Sequence, residues 1–126
     1  MAKKTGKKKL RYAFIGAGGI AGAHMGYLKD MDDVEMVAMA DISKAGMEAK
    51  AQQFGIDGIY TDYRKMLAEV KPDAVSICTP NGAHAEGAIA ASNAGAHVLV
   101  EKPMAMTAAE AQKMISAAKQ KRRKLV

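Results

Sequence analysis

The chain has 126 residues, enough for one domain with a real core but short for a complete two-substrate enzyme. It is 49% hydrophobic with few aromatics, and its single cysteine, Cys78, excludes an internal disulfide and favours a reducing, cytoplasmic setting. The net charge of +6 lies at the ends: residues 1–11 carry six basic groups and 119–124 carry five, leaving eight against thirteen acids, a balance of −5, between them.

The first element expected is a flexible basic tail over residues 1–8, with the domain proper spanning 9–126. The lysine-rich start, the apolar stretch 12–20 and Ala21-Gly22-Ala23 imitate a secretory signal. Gly16, Gly18, Gly19 and Gly22 would interrupt the helical core of such a signal, and strand plus turn explains the same residues, so we reject it. No apolar run has the length to cross a bilayer, and no membrane partner is expected. Leu10–Ile15 reads as strand 1, and Ile20, His24, Tyr27, Leu28 and Met31 fall on one face of a following helix. Val34–Ala40 is strand 2, residues 43–54 a helix stopped by Gly55, and 58–61 a short third strand. Tyr63, Met66, Leu67 and Val70 make the next helical stripe, which Pro72 ends.

Residues 74–78 form strand 4. Asn81 is the expected cap of an alanine-rich helix running to Asn93, and His97–Val100 is strand 5. Thr107-Ala108-Ala109-Glu110 is a capping box opening a helix with Ala111, Met114, Ile115 and Ala118 on one face. Lys124-Leu125-Val126 begins a sixth strand that is cut short. Short apolar strands alternating with helices predict an α/β, doubly wound parallel sheet of Rossmann type, order 3-2-1-4-5, with helices on both faces.

Three features speak of chemistry. Gly16-x-Gly18-x-x-Ala21 has the spacing by which a strand turns tightly into a helix, and Gly16–Ile20 (with Ala17 and Gly19) then bares backbone N–H groups for a pyrophosphate. Asp41, with Ile42 beside it, follows strand 2 at the distance of a ribose-binding carboxylate. Its charge would repel a 2′-phosphate, so NAD is expected ahead of NADP. Thr79-Pro80-Asn81 and Glu101-Lys102-Pro103 end strands 4 and 5, on the rim where ligands of such sheets lie.

The other candidates stay structural. His24, His84 and His97 lack metal-ligand spacing with one another or with Cys78, so no metal is expected. The ten methionines are core filler. His24 on an apolar helix face and Cys78 at a strand end read as packing residues, and His97 receives no role. The basic ends are solvated runs; without interleaved aromatics they serve nucleic acid poorly.

The run CTPNGAHAEGAIAASNAGAHVLVEKPMAMTAAEA, together with the glycine loop and Asp41, closely resembles the glucose–fructose oxidoreductase/inositol dehydrogenase family, the Gfo/Idh/MocA-type oxidoreductases, from about Lys9 onward. The resemblance implies hydride transfer between NAD(P) and a secondary alcohol of a sugar, polyol or related metabolite. It implies that Thr79, Pro80 and Asn81 line the cofactor, that His84 lies on its nicotinamide side, and that Glu101 faces the nicotinamide ribose. Lys102 is then the catalytic lysine on the substrate oxygen, and a cis bond before Pro103 is permitted. A lysine at the mouth of a pocket is partly desolvated, which favours its neutral form and suits it to proton transfer.

In relatives a C-terminal domain supplies further acid/base and substrate residues and much of the oligomer interface. That substrate domain is expected to be absent here and the chain silent on its own, with a homo-oligomer left open. Two other readings remain open: a non-catalytic nucleotide-sensing module acting through a partner, and a nucleic-acid binder using the basic ends.

Overall fold

The structure, a computed structural model, describes residues 8–126; all but the last residue of the expected tail lies outside them. Five parallel strands, β1 (Leu10–Ile15), β2 (Val34–Ala40), β3 (Gly58–Tyr60), β4 (Ala74–Ile77) and β5 (His97–Val100), form one sheet in the order β3-β2-β1-β4-β5. Five helices connect and cover them: α1 (Gly19–Leu28), α2 (Lys44–Phe54), α3 (Tyr63–Val70), α4 (His84–Asn93) and α5 (Ala108–Gln120). This is the expected fold and strand order.

Alternation along β1 divides the core. Ala13 and Ile15 face one side with Val75, Ile77 and Val98, where Met66 and Leu67 of α3, Ala88 and Ala91 of α4 and Met114 of α5 pack. Tyr12 and Phe14 face the other side with Met39, covered by Met25 of α1 and Met47 of α2. Phe14 and Met25, Met39, Met47, Met66 and Met114 are all at most 1% exposed, so these five methionines fill gaps between strands and small-residue helices, whereas Met31 and Met106 are exposed and fill none. Burying one such side chain is worth about 2–3 kcal/mol.

The helix ends follow local chemistry. Asp62 accepts from the Arg64 N–H (2.9 Å) to start α3, and Gly55 in the left-handed region (φ 67°) ends α2. Thr107 Oγ1 accepts from the Glu110 N–H at 3.1 Å to cap α5. The reciprocal half of that box goes one residue further back: Glu110 accepts from the Met106 N–H (2.9 Å) rather than from Thr107. The expected cap at Asn81 is corrected, because Asn81–Ala83 is a 3₁₀ turn and α4 starts after it with no side-chain cap. A tighter turn after Pro80 takes the place of the capping hydrogen bond.

Register sets the rim. Ile15 lies opposite Ala40 and Ile77, Ile77 opposite Val100, and Ala40 opposite Tyr60. The residues that follow, Gly16, Asp41, Cys78 and Glu101, therefore leave the sheet side by side at its carboxyl ends. Beyond β5, residues 124–126 run parallel to it through Val98 N–H to Lys124 O and Val126 N–H to Val98 O, both 2.9 Å, as the expected sixth segment.

Candidate functional site

The turn after β1 has only one residue type open to it at its first position. Gly16 sits at φ +95°, and a Cβ there would lie 2.6 Å from the Cys78 carbonyl carbon and 2.8 Å from the Thr79 nitrogen. That contact brings β1 and β4 together at the rim. Gly18 is different: a Cβ on it or on Gly19 would meet nothing within 4 Å, so the backbone there faces open space. Gly18 gives α1 no side-chain cap and its first turn holds no acid, leaving N–H groups and the positive dipole end toward that space. Ala21 is fully buried, letting α1 lie close to the sheet, while Ile20 stays exposed.

Asp41 is held by main-chain donors. Its Oδ2 accepts from the Ala17 N–H at 2.7 Å and its Oδ1 from the Ser43 N–H at 3.2 Å, which ties the end of β2 to the glycine loop. Ile42 beside it is 93% exposed. Between these loops and the β4 end lies a cleft of about 550 Å³ whose walls include Gly16, Gly18, Asp41, Ile42, Thr79 and Pro80. Tyr63 also lines it, though its place on a helical stripe predicted only packing. Among the described residues, the Thr79 Oγ1 and Tyr63 Oη atoms are buried with no hydrogen-bond partner. An orphaned hydroxyl on Thr79, a residue of the cleft wall, and an uncapped helix end suit a polar, anionic ligand such as a dinucleotide. Cys78, on the same wall, has its thiol pushed up to about 12 by burial, and is inert packing at this position.

The β5 end is built from side chains. Glu101 Oε1 lies 2.9 Å from Nε2 of His24, and the same ring's Nδ1 lies 2.9 Å from Oγ of Ser76, which in turn is 2.7 Å from the Tyr12 hydroxyl. The hydrogen bond from His24 holds the Glu101 carboxyl below its ordinary value, against a smaller opposing effect of burial. Burial raises the Tyr12 phenol, so it stays protonated. His24 was expected only to pack; its link to Glu101 was missed because the partners stand 77 residues apart.

The Lys102–Pro103 bond is cis. Lys102 is exposed, so the partial desolvation expected for it is not supplied by the described residues. His84 differs most from expectation. It is 1% exposed, with Nδ1 at 2.7 Å from the Pro103 carbonyl oxygen and Nε2 at 2.7 Å from that of Thr79. Both neighbours are carbonyl oxygens, which only accept, so a neutral ring donates to one of them at a time; the buried imidazole lies between the loops that carry Thr79 and Pro103. Pro80 and Asn81 are exposed on the rim, where they were expected.

The model of an oxidoreductase family with an NAD-binding Rossmann fold, the Gfo/Idh/MocA family, matches residues 10–126. The chain belongs to that family. Among Gfo/Idh/MocA relatives it is 41% identical over 111 residues to D-glucoside 3-dehydrogenase of Escherichia coli, covering 87% of this chain and 32% of that protein. It is 30% identical over 110 residues to myo-inositol 2-dehydrogenase of Thermotoga maritima, covering 87% and 33%. A solved structure of the WlbA dehydrogenase from Bordetella pertussis, in complex with NADH and UDP-GlcNAcA, superposes with a TM-score of 0.88 at 30% identity, covering 94% of this chain and 36% of that one. The chain thus spans about a third of the length of the curated relatives it matches. What it presents is the NAD-binding Rossmann domain of the family. Among the described residues no helix is long and apolar enough to cross a membrane.

Proposed function

We propose that this domain binds NAD(H) across its carboxyl rim and forms the cofactor half of a cytoplasmic dehydrogenase acting on a secondary alcohol of a sugar or polyol. The observation that carries this reading is the alignment, at the ends of neighbouring strands, of the open glycine loop, Asp41, the orphaned Thr79 hydroxyl and Glu101-Lys102. In this reading the N–H groups of Gly16 to Ile20, including Ala17, Gly18 and Gly19, hold the diphosphate. Asp41 accepts from the adenosine ribose with Ile42 against the adenine side, and its charge disfavours the 2′-phosphate of NADP. Thr79, Pro80 and Asn81 line the middle of the cofactor, and Glu101 takes the nicotinamide ribose. His84 serves by fixing the loops that carry Thr79 and Pro103.

When bound, NAD(H) supplies the hydride acceptor or donor. Lys102 hydrogen-bonds the substrate oxygen through Nζ and takes the hydroxyl proton as that oxygen becomes a carbonyl. Exclusion of water from Lys102 falls to whatever covers the rim during catalysis, since the side chain is exposed here. The names of the relatives, a glucoside 3-dehydrogenase and an inositol 2-dehydrogenase, support a ring hydroxyl as substrate. The 126-residue chain is therefore expected to bind cofactor without turning over a sugar.

Titration of the folded chain with NADH, followed by nicotinamide fluorescence, tests this. Saturable binding that NAD and ADP displace, with weaker binding of NADPH, is the expected result. A chain with an intact α/β circular dichroism spectrum that binds neither NADH nor ADP overturns the proposal.

A further inference from the structure

We infer that His24 is a positioning residue for the nicotinamide end of the site, locking Glu101 and the lysine loop to the helix that receives the diphosphate. The inference rests on the NAD(H) reading and adds to it a residue outside the cleft. His24 lies on α1, whose N-terminus faces the glycine-loop opening, and its ring spans β4 at Ser76 to reach Glu101 at the end of β5. One helix thereby touches both the phosphate loop and the carboxylate that precedes Lys102.

The hydrogen-bond sense of this chain is fixed where it matters. An ionised Glu101 can only accept, so His24 Nε2 must carry a proton and donate. If the ring is neutral, Nδ1 accepts from the Ser76 hydroxyl, which accepts from Tyr12. If the ring is protonated, Nδ1 donates to Ser76, which then donates to Tyr12. Both arrangements keep the Nε2–H on Glu101; the first gives every hydrogen a partner, whereas the second leaves the Tyr12 hydroxyl hydrogen without an acceptor in the chain. Ser76 is fully buried in β4 and Tyr12, in the central strand β1, is 8% exposed, so the far end of the chain is anchored in the core. Cys78 Sγ, at 3.8 Å from Nδ1, is a thiol with its proton and offers only a weak alternative partner. The chain ends in a buried phenol, with no route onward for a proton, and this favours orientation of Glu101 over proton relay. Glu101 directly precedes Lys102, so where its carboxylate is held bears on the direction in which the lysine loop leaves β5.

The test compares NADH with ADP, which shares the adenosine and diphosphate but lacks the nicotinamide riboside. His24→Ala is expected to weaken NADH binding about 5- to 10-fold, the loss of a fraction of one charge-assisted hydrogen bond, while ADP changes less than about two-fold. Glu101→Ala should do the same, and the double variant should bind NADH no worse than Glu101→Ala alone, because both act through one carboxylate. His24→Gln, which keeps an N–H donor, should recover part of the loss. In the ligand-free protein, the Glu101 carboxyl signal in carbon NMR should titrate at higher pH in His24→Ala than in the wild type. Equal loss of NADH and ADP, no loss of either, or additive single variants overturns the inference. Should His24→Ala fail to fold, His24→Gln and Ser76→Ala carry the same comparison: wild-type-like Glu101 titration and NADH affinity in both overturn it. A wild type that binds neither ligand but whose Glu101 titration responds to His24→Ala sinks the NAD(H) reading, and with it any role of His24 toward a nicotinamide.

Discussion

Asp41 and Glu101 end strands of the same rim, with β1 and β4 between them, yet their carboxylates are held by different means. Asp41 takes its hydrogen bonds from the main-chain N–H groups of Ala17 and Ser43. Glu101 takes its first from the imidazole of His24, itself seated on a serine and a tyrosine of the sheet. Main-chain donors survive any substitution that preserves the path of the loop, so the Asp41 half of the rim is vulnerable mainly at Asp41 and at the glycine that sets the path. The Glu101 half depends on four side chains from α1, β1, β4 and the β5 end, and a change in any of them reaches Glu101.

The largest effect should come from breaking the loop path itself. Gly16→Ala places a Cβ 2.6 Å from the Cys78 carbonyl carbon in a left-handed backbone conformation. We expect it to lower the unfolding free energy by about 2–4 kcal/mol, measured by urea denaturation, and to abolish NADH binding. Asp41→Ala sharpens the contrast between the halves. It should weaken both NADH and ADP by about 10- to 100-fold in fluorescence and calorimetric titrations, since both ligands carry the adenosine ribose. A variant at Glu101 should spare ADP.

Acid titration separates the halves further. Because the His24 hydrogen bond holds Glu101 below its ordinary value near 4.5, the folded state prefers the ionised form. The stabilisation is complete above that ordinary value and is lost as pH falls through the lower folded one. Wild type should therefore lose stability between about pH 5 and pH 3 that Glu101→Gln does not lose, in urea midpoints taken across that range. The smallest effect concerns Cys78, between the two halves. With its thiol pushed up to about 12, native Cys78 should alkylate with iodoacetamide at pH 8 at least about 100-fold more slowly than in the urea-unfolded chain.

Much of the placement of the glycine loop and Asp41 on the rim was legible in the residues because its information is local. The glycine spacing and the acid after strand 2 lie within one strand-helix-strand unit, and apolar periodicity set the register that joins them. Thr107 and Gly55 likewise announce helix ends through their immediate neighbours. The Glu101 half of the rim was less legible for a physical reason. His24 meets Glu101 only once β4 is interposed between β1 and β5 and α1 is laid across it, and nothing near His24 in sequence signals this. On a helical stripe an imidazole that packs and one that donates look alike. The surroundings of His84 were hidden for a related cause: its neighbours are carbonyl oxygens of Thr79 and Pro103, and carbonyls leave no mark in a sequence. Tyr63 reads as a stripe residue although it also lines the cleft. Asn81 has a capping side chain, but Pro80 ahead of it leads into a 3₁₀ turn instead.

The methionine-filled core ties chemical ageing to unfolding. Met31 and Met106 stand 48% and 59% exposed and offer their thioethers to peroxide freely, whereas Met25, Met39, Met47, Met66 and Met114 are sealed between sheet and helices. Oxidant reaches those five only when the layers part, and a sulfoxide formed there is too polar to repack, so each opening event that is caught removes a molecule from the refoldable pool. Sulfoxide appearance at the sealed positions thus counts excursions from the native state, while that at Met31 and Met106 counts only exposure to the oxidant.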